Sequence, residues 1–192
     1  MIKAIFFDID GTLVSFNTHK VPKSTMKAFE LLHEKGIKTF VATGRHPSIM
    51  SLGNNLDQLK FDGYVTLNGQ YCFNDKEIIY KNSISPEDIK SLIEFLKDYP
   101  HPCGFVEGEG GMYINHINDN VRTVLEAVNL PMLPVKDISR ALNNEVFQLN
   151  PYVSPEEEHI FMNALKNCEA TRWNPLFLDV IPAGGGKHVA VE

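Results

Sequence analysis

Cysteine is scarce in this chain. Cys72, Cys103 and Cys168 are the three in 192 residues, an odd number and widely scattered. No two of them have metal-ligand spacing, and their number and scatter argue against a disulfide framework. Packing in a reducing compartment is their expected role. An excess of positive charge is missing too. Eighteen Lys and Arg against 24 Asp and Glu leave a formal net charge of −6. That argues against the basic face a nucleic-acid partner requires, although a few well-placed cations suffice for a small anionic substrate. No apolar run approaches the roughly 18 residues that span a bilayer, and the opening residues reach Asp8 too early to hold a signal h-region. The seven histidines are dispersed, with no His-x-x-x-His pair for a metal. The expectation is a cytoplasmic protein with no nucleic-acid and no membrane partner, its oligomeric state undetermined.

What is present is an ordinary core-forming composition, 43% hydrophobic and 22% charged, enough to bury a core without staples. Ala4-Ile5-Phe6-Phe7 reads as a strand buried on both faces. Pro22 opens a helix with Met26, Phe29 and Leu32 inward, and Gly36 stops it. Residues 37–42 form a second strand. Pro47 then predicts another helix, with Ile49, Leu52 and Leu56 as its inner face. Residues 64–67 are a third strand. This alternation predicts βαβ units in a doubly wound parallel sheet.

The rhythm changes after residue 70. Residues 71–73 and 78–80 predict a hairpin through Asn74-Asp75-Lys76. Ser85 caps a helix carrying Leu92, Phe95 and Leu96. Residues 105–106 and 112–114 flank the Gly-rich turn 108–111, a helix covers 121–128, and a strand covers 146–149. Ser154 and Glu157 have capping-box spacing. Residues 170–173 and 177–181 close the series as strands. Hairpins with helices between them predict an inserted α+β lobe.

Chemistry concentrates at strand ends. Asp8-Ile9-Asp10-Gly11-Thr12 follows the first strand, where ligands bind in open α/β sheets. One carboxylate there can be a nucleophile and its neighbour a general acid and base. Gly11 permits a tight turn that aims backbone N–H groups at phosphate oxygens. A surface Asx turn would use the same residues, so the motif alone leaves both readings open. A calcium loop is excluded by Thr12 and Leu13 at its fifth and sixth places. Thr43-Gly44-Arg45 follows the second strand, where a hydroxyl, an N–H and a guanidinium can meet an anion; a capped βα loop is the alternative. Asn68-Gly69 after the third strand is common turn chemistry. Gly184-Gly185-Gly186-Lys187 can deliver a lysine to phosphate, or can be a solvated linker. Ile181 and His188 exclude a nucleotide P-loop, and Tyr113 excludes a dinucleotide fingerprint at Gly108.

In this order and spacing the motifs resemble the haloacid dehalogenase superfamily, and within it the Cof-type sugar phosphatases with a type IIB cap. The resemblance implies an α/β core at 1–82, an α+β cap at 83–181 and a return to the core at 182–192. It implies a magnesium-dependent phosphohydrolase acting on small phosphorylated metabolites, sugar phosphates foremost, through an aspartyl-phosphate intermediate. Asp8 would be nucleophile and metal ligand, and Asp10 acid/base and metal ligand through its carbonyl. Gly11, Thr43, Gly44 and Lys187 would hold the phosphate, with Arg45 and Asn68 lining the pocket. His116, Asn118 and Trp173 fall in the cap, with surface or packing roles expected. The family pattern also has an acidic Gly-Asp-x-x-Asn-Asp motif after the lysine, which completes the magnesium site. This sequence reaches Glu192 without it, so a chain that is truncated, and inactive as it stands, is expected. A phosphomutase, or a non-catalytic phosphate-binding protein, stays open beside the phosphatase.

Overall fold

In the computed structural model, which describes residues 2–192, the chain divides into two units. One runs up to Lys81 and resumes at Gly185–Glu192, and the other is Asn82–Gly184. Met1, the first residue of the predicted segment 1–82, lies outside the described residues.

The first unit is built on a five-stranded sheet in chain order: β1 (Ala4–Phe7), β2 (Lys38–Ala42), β3 (Gly63–Thr66), β4 (Tyr71–Phe73) and β5 (Ile78–Lys81). β1, β2 and β3 are mutually parallel, and β4 and β5 are antiparallel additions. The fold class is therefore α/β, with a mixed sheet. Helix α1 (Lys23–Glu34) links β1 to β2. Its stop is a Schellman arrangement, in which Gly36 N–H donates to His33 and Ile37 N–H to Leu32, at 2.9 and 3.0 Å. Gly36 adopts φ 69°, a left-handed value a Cβ disfavours. α1 buries Phe29 against Phe7 and Phe61, ring centroids 5.0 and 5.3 Å away.

Two expectations fail in this unit. β1 is not buried on both faces: Ile5 and Phe7 are half-buried, while Ala4 and Phe6 are exposed. Phe6 stacks on Phe40 at 4.7 Å, so the apolar run serves a ring pair on that face. The helix predicted at Pro47 is only a 3₁₀ turn, Pro47–Ile49, followed by turns and a second short 3₁₀ piece, Leu56–Gln58. The periodicity was overridden by backbone chemistry. Gly53 and Asn55 take φ 68° and 62°, and Asn54 turns its amide onto Met50 O and Leu56 N. Met50 and Leu56 are buried as a result, while Leu52 is exposed.

The second unit is an antiparallel sheet in the order β7 (Met112–Ile114), β6 (Cys103–Glu107), β8 (Val146–Pro151), β10 (Phe177–Pro182) and β9 (Cys168–Asn174). Helix α2 (Pro86–Asp98) begins where Ser85 Oγ accepts from Asp88 N–H, with Pro86 at the first helical position. Leu92 and Leu96 of α2, and Phe161 of the short helix α4 (Glu158–Met162), pack with Phe105, Leu149, Leu178 and Val180. Helix α3 (Asp119–Ala127) forms a second cluster with Ile114, Tyr152 and Phe177. The capping box is made in both directions: Ser154 N–H to Glu157 Oε2 at 3.0 Å and Glu157 N–H to Ser154 Oγ at 3.3 Å. Among the described residues no helix is long and apolar enough to cross a membrane.

Candidate active site

Parallel strands deliver their carboxyl ends to one edge of a sheet, and three loops meet there. β1 gives way to Asp8, β2 to Thr43 and β3 to Leu67-Asn68-Gly69. In the first loop Ile9, Leu13 and Val14 are all buried. The Ile9 carbonyl accepts from Leu13 N–H and Val14 N–H at 3.1 and 2.8 Å. Anchoring Ile9 inward turns its neighbours on either side outward, so Asp8 and Asp10 emerge together. Gly11 closes the loop with φ 74° and the ring of Phe16 against it. Its N–H does not face a ligand as expected, because it donates to Val14 O at 2.9 Å; the turn's own closure takes that donor.

Each carboxylate has a cation. Lys187 Nζ lies 2.5 Å from Asp8 Oδ1, with the two side chains 38% and 40% exposed. Arg45 grips Asp10 with two parallel bonds, Nη2 to Oδ1 at 2.6 Å and Nε to Oδ2 at 3.0 Å. Its other arm, Nη1, donates to Ile49 O at 3.3 Å. Arg45 thus meets an anion, as its type predicts, and the anion is Asp10. Such a planar fork fixes orientation as well as charge.

Thr43 is buried, and its Oγ1 accepts from Arg45 N–H at 3.1 Å, which leaves the hydroxyl proton to be donated elsewhere. Asn68 N–H donates to Thr43 O at 3.1 Å, and the Asn68 amide lies over Gly44, where a Cβ would meet its Oδ1 at 2.9 Å. The seven positions Asp8, Asp10, Thr43, Gly44, Arg45, Asn68 and Lys187 therefore fall into two contact groups, Asp8 with Lys187 and the rest linked through Arg45 and Thr43.

Sequence reasoning missed how the third loop is held. Leu67, Asn68 and Gly69 take φ 50°, 55° and 93° in succession. For a leucine that conformation is an outlier, and burial of its side chain, 1% exposed, holds it. The bend sets Gly69 against the Gly186 carbonyl and Lys187 nitrogen. Helix α5 (Lys187–Ala190) is fixed from the other side by Ala190, packed on Ala42, Val65 and Cys72. The Asn-Gly pair signals a bend; nothing local in the sequence signals its partner 117 residues on.

No cysteine competes as a nucleophile. Burial pushes the Cys72 thiol up to about 11 and Cys168 to about 12, and raises Cys103 as well, so none is a thiolate near neutrality. A pocket of about 270 Å³ lies wholly in the second unit, lined by His101, His116, Asn118, Tyr152 and Glu157 among others. It contains none of the strand-end residues, and Asn118 there is the cap of α3, accepting from Val121 N–H at 3.1 Å.

Residues 5–192 match the haloacid dehalogenase-like hydrolase family. YkrA of Bacillus subtilis (strain 168), named as a presumptive phosphatase, is 32% identical over 192 residues, covering 99% of this chain and 72% of YkrA. The fold superposes on the HAD-superfamily phosphatase BT1666 from Bacteroides thetaiotaomicron with a TM-score of 0.87 and 35% identity, over 100% of this chain and 70% of that one. Against the subclass IIB sugar phosphatase BT4131 the TM-score is 0.82 at 40% identity, over 98% and 73%. The chain belongs to the haloacid dehalogenase-like hydrolases, and among them to the phosphatases.

Proposed function

We propose that the protein hydrolyses small phosphate monoesters, sugar phosphates foremost, by covalent catalysis at Asp8. The observation that carries this reading is the Asp8–Lys187 pair at 2.5 Å, a carboxylate and a cation brought together from positions 179 apart in the chain. An Asp8 carboxylate oxygen attacks phosphorus in line, and the bond from phosphorus to the ester oxygen breaks. Asp10, protonated on the oxygen that one arm of Arg45 gives up and still oriented by the other arm, gives that proton to the departing alkoxide. Water then attacks the aspartyl phosphate, Asp10 takes a proton from it, and the bond to Asp8 breaks to release inorganic phosphate. Lys187 exchanges Asp8 for the phosphoryl oxygens as the dianion enters, and the Thr43 hydroxyl donates to one of them. Unit Asn82–Gly184 acts as the cap, selecting the leaving group.

The donors present suit magnesium as part of its site. Among the described residues the Asp10 main-chain carbonyl accepts no hydrogen bond, and Asp8 is two-fifths exposed at the strand end. Together they offer two oxygen ligands. No group of three or more His, Cys, Asp or Glu that could hold a metal occurs among the described residues. Two protein oxygens suit an ion that commonly retains several waters and takes one or two carboxylates plus substrate phosphate. When bound, it supplies positive charge to the phosphoryl oxygens.

The test is Asp8→Asn in the complete protein, assayed by phosphate release with and without magnesium. Loss of at least about 10³-fold in kcat is expected, as for removal of a covalent nucleophile. Activity near that of the unsubstituted protein would overturn the assignment.

A further inference from the structure

Arg45 orients Asp10, and a guanidinium can do so only while its own plane is held. A long side chain with several rotatable bonds does not hold itself. Nε and Nη2 are spent on Asp10. Nη1 reaches the other way, to the carbonyls of Ile49 and Met50 at 3.3 and 3.5 Å, and among the described residues the guanidinium has no other partner. Those two carbonyls are the seat of Arg45. The seat matters most when Asp10 is protonated, because one bond of the fork is then given up.

The seat needs an anchor in turn. Pro47–Ile49 is a single 3₁₀ turn with Met50 at its C-terminal end, and so short a piece does not persist by itself. Asn54 fastens it. Its Nδ2 donates to Met50 O at 2.7 Å, the shorter of the two bonds that carbonyl accepts, and its Oδ1 accepts from Leu56 N–H at 2.9 Å. The Asn54 carbonyl accepts from Val21 N–H at 3.0 Å, which ties the turn to the connection between β1 and α1. Gly53 and Asn55 on either side take φ 68° and 62°, and this reversal turns the amide inward, where Asn54 is 3% exposed. Val21, Met50 and Leu56 lie in one buried cluster with Ile9 and Leu13, so the anchor is set in the core beneath the aspartates. An apolar side chain would fill such a place without burying polar atoms. The amide earns its position by its bonds.

We infer that Asn54 is a positioning residue for the acid step. Through the Met50 carbonyl it holds Arg45, and through Arg45 it aims Asp10 at the departing oxygen. The inference rests on the hydrolase reading above and adds to it a buried residue that bonds to neither aspartate.

The experiment uses Asn54→Ser in the complete protein. Serine can still accept from the N–H two residues on, but it is too short to reach Met50 O. Two esters are compared: a hexose monophosphate, whose alkoxide needs a proton, and p-nitrophenyl phosphate, whose phenolate leaves without one. The ratio of their kcat values should fall about tenfold, with KM little changed. In an Arg45→Lys background, where the fork is already lost, the same substitution should lower the ratio no further. Asn54→Asp, equal in size but lacking the donor, should act alike, and it replaces the serine variant if that one does not fold. Equal losses on both esters, as plain structural damage would give, overturn the inference. So does the same fall of the ratio in both backgrounds. A second readout needs no turnover. The Arg45 Nε–H should give an NMR signal protected from solvent exchange, identified by its absence in Arg45→Lys, and Asn54→Ser should remove that protection. A signal still protected refutes the relay whatever the rates. If the unsubstituted protein hydrolyses neither ester, the covalent mechanism fails, and the Arg45 signal then decides whether Asn54 holds the fork.

Discussion

Gly69 and Gly186 meet so closely that a methyl group on the first would overlap the carbonyl of the second. Because the obstacle is main chain, no side-chain rotation relieves it, and the adjoining Lys187 nitrogen would be pushed away too. Gly69→Ala should therefore destabilise the protein by about 1–3 kcal/mol and displace Lys187 from Asp8. A misplaced catalytic group costs about 10²-fold in rate, to be checked by urea unfolding and phosphate release. Gly44→Ala is the control. Its new Cβ would meet only the movable Asn68 side chain, so its stability should change by less than about 1 kcal/mol.

Lys187 should matter for rate far more than for stability. Its ion pair with Asp8 is partly exposed, and such pairs contribute about 0.2–1 kcal/mol. Stabilising charge that develops on a phosphoryl group is worth more, so Lys187→Met should lose about 10²–10³-fold in kcat. An unfolding midpoint that falls steeply while kcat holds would contradict this division.

Arg45 presents its fork to Asp10, and a lysine cannot make both bonds. Arg45→Lys should slow alkyl phosphates, whose leaving oxygen needs a proton, by about 10-fold or more. For p-nitrophenyl phosphate, which departs without one, the loss should be smaller. Equal losses on the two esters would show that Arg45 does not act through Asp10.

The capping box in the turn that leads into α4 predicts a pH-dependent increment. Hydrogen bonds from the Ser154 backbone N–H and then its side chain hold the Glu157 carboxyl below its usual range. Since the folded value is the lower one, the stabilisation is complete above the unfolded value, near 4.5. It is lost as pH falls through the folded value. Gln still accepts from Ser154 N–H, and water screens the lost charge, so Glu157→Gln should cost about 0.5 kcal/mol or less at pH 7 and less again near pH 3, measured by urea unfolding at both.

Some of this was legible in the chain. The position of Asp8 and Asp10 at a strand end is legible because a short apolar run ending in acids has few other uses. The caps at Ser85 and Ser154 were found because capping depends on residues three apart. Periodicity predicts a helix after Pro47 where only 3₁₀ turns form, because it counts apolar spacing and does not register what Gly53, Asn54 and Asn55 do to the backbone. The exposed face of β1 is not legible, because a four-residue apolar run does not say which of its faces a helix will cover.

Local pattern, then, determined the α/β class and the family and set Asp8 and Asp10 at a strand end, since capping, turn formation and strand alternation act over a few positions. Only the tertiary structure decided the pairings: Arg45 with Asp10, Lys187 with Asp8, Gly69 with Gly186, and Trp173 with Asp179. Partners drawn from different strands are fixed by register and packing, and no sequence window contains both members of a contact that closes across 35 or 179 residues.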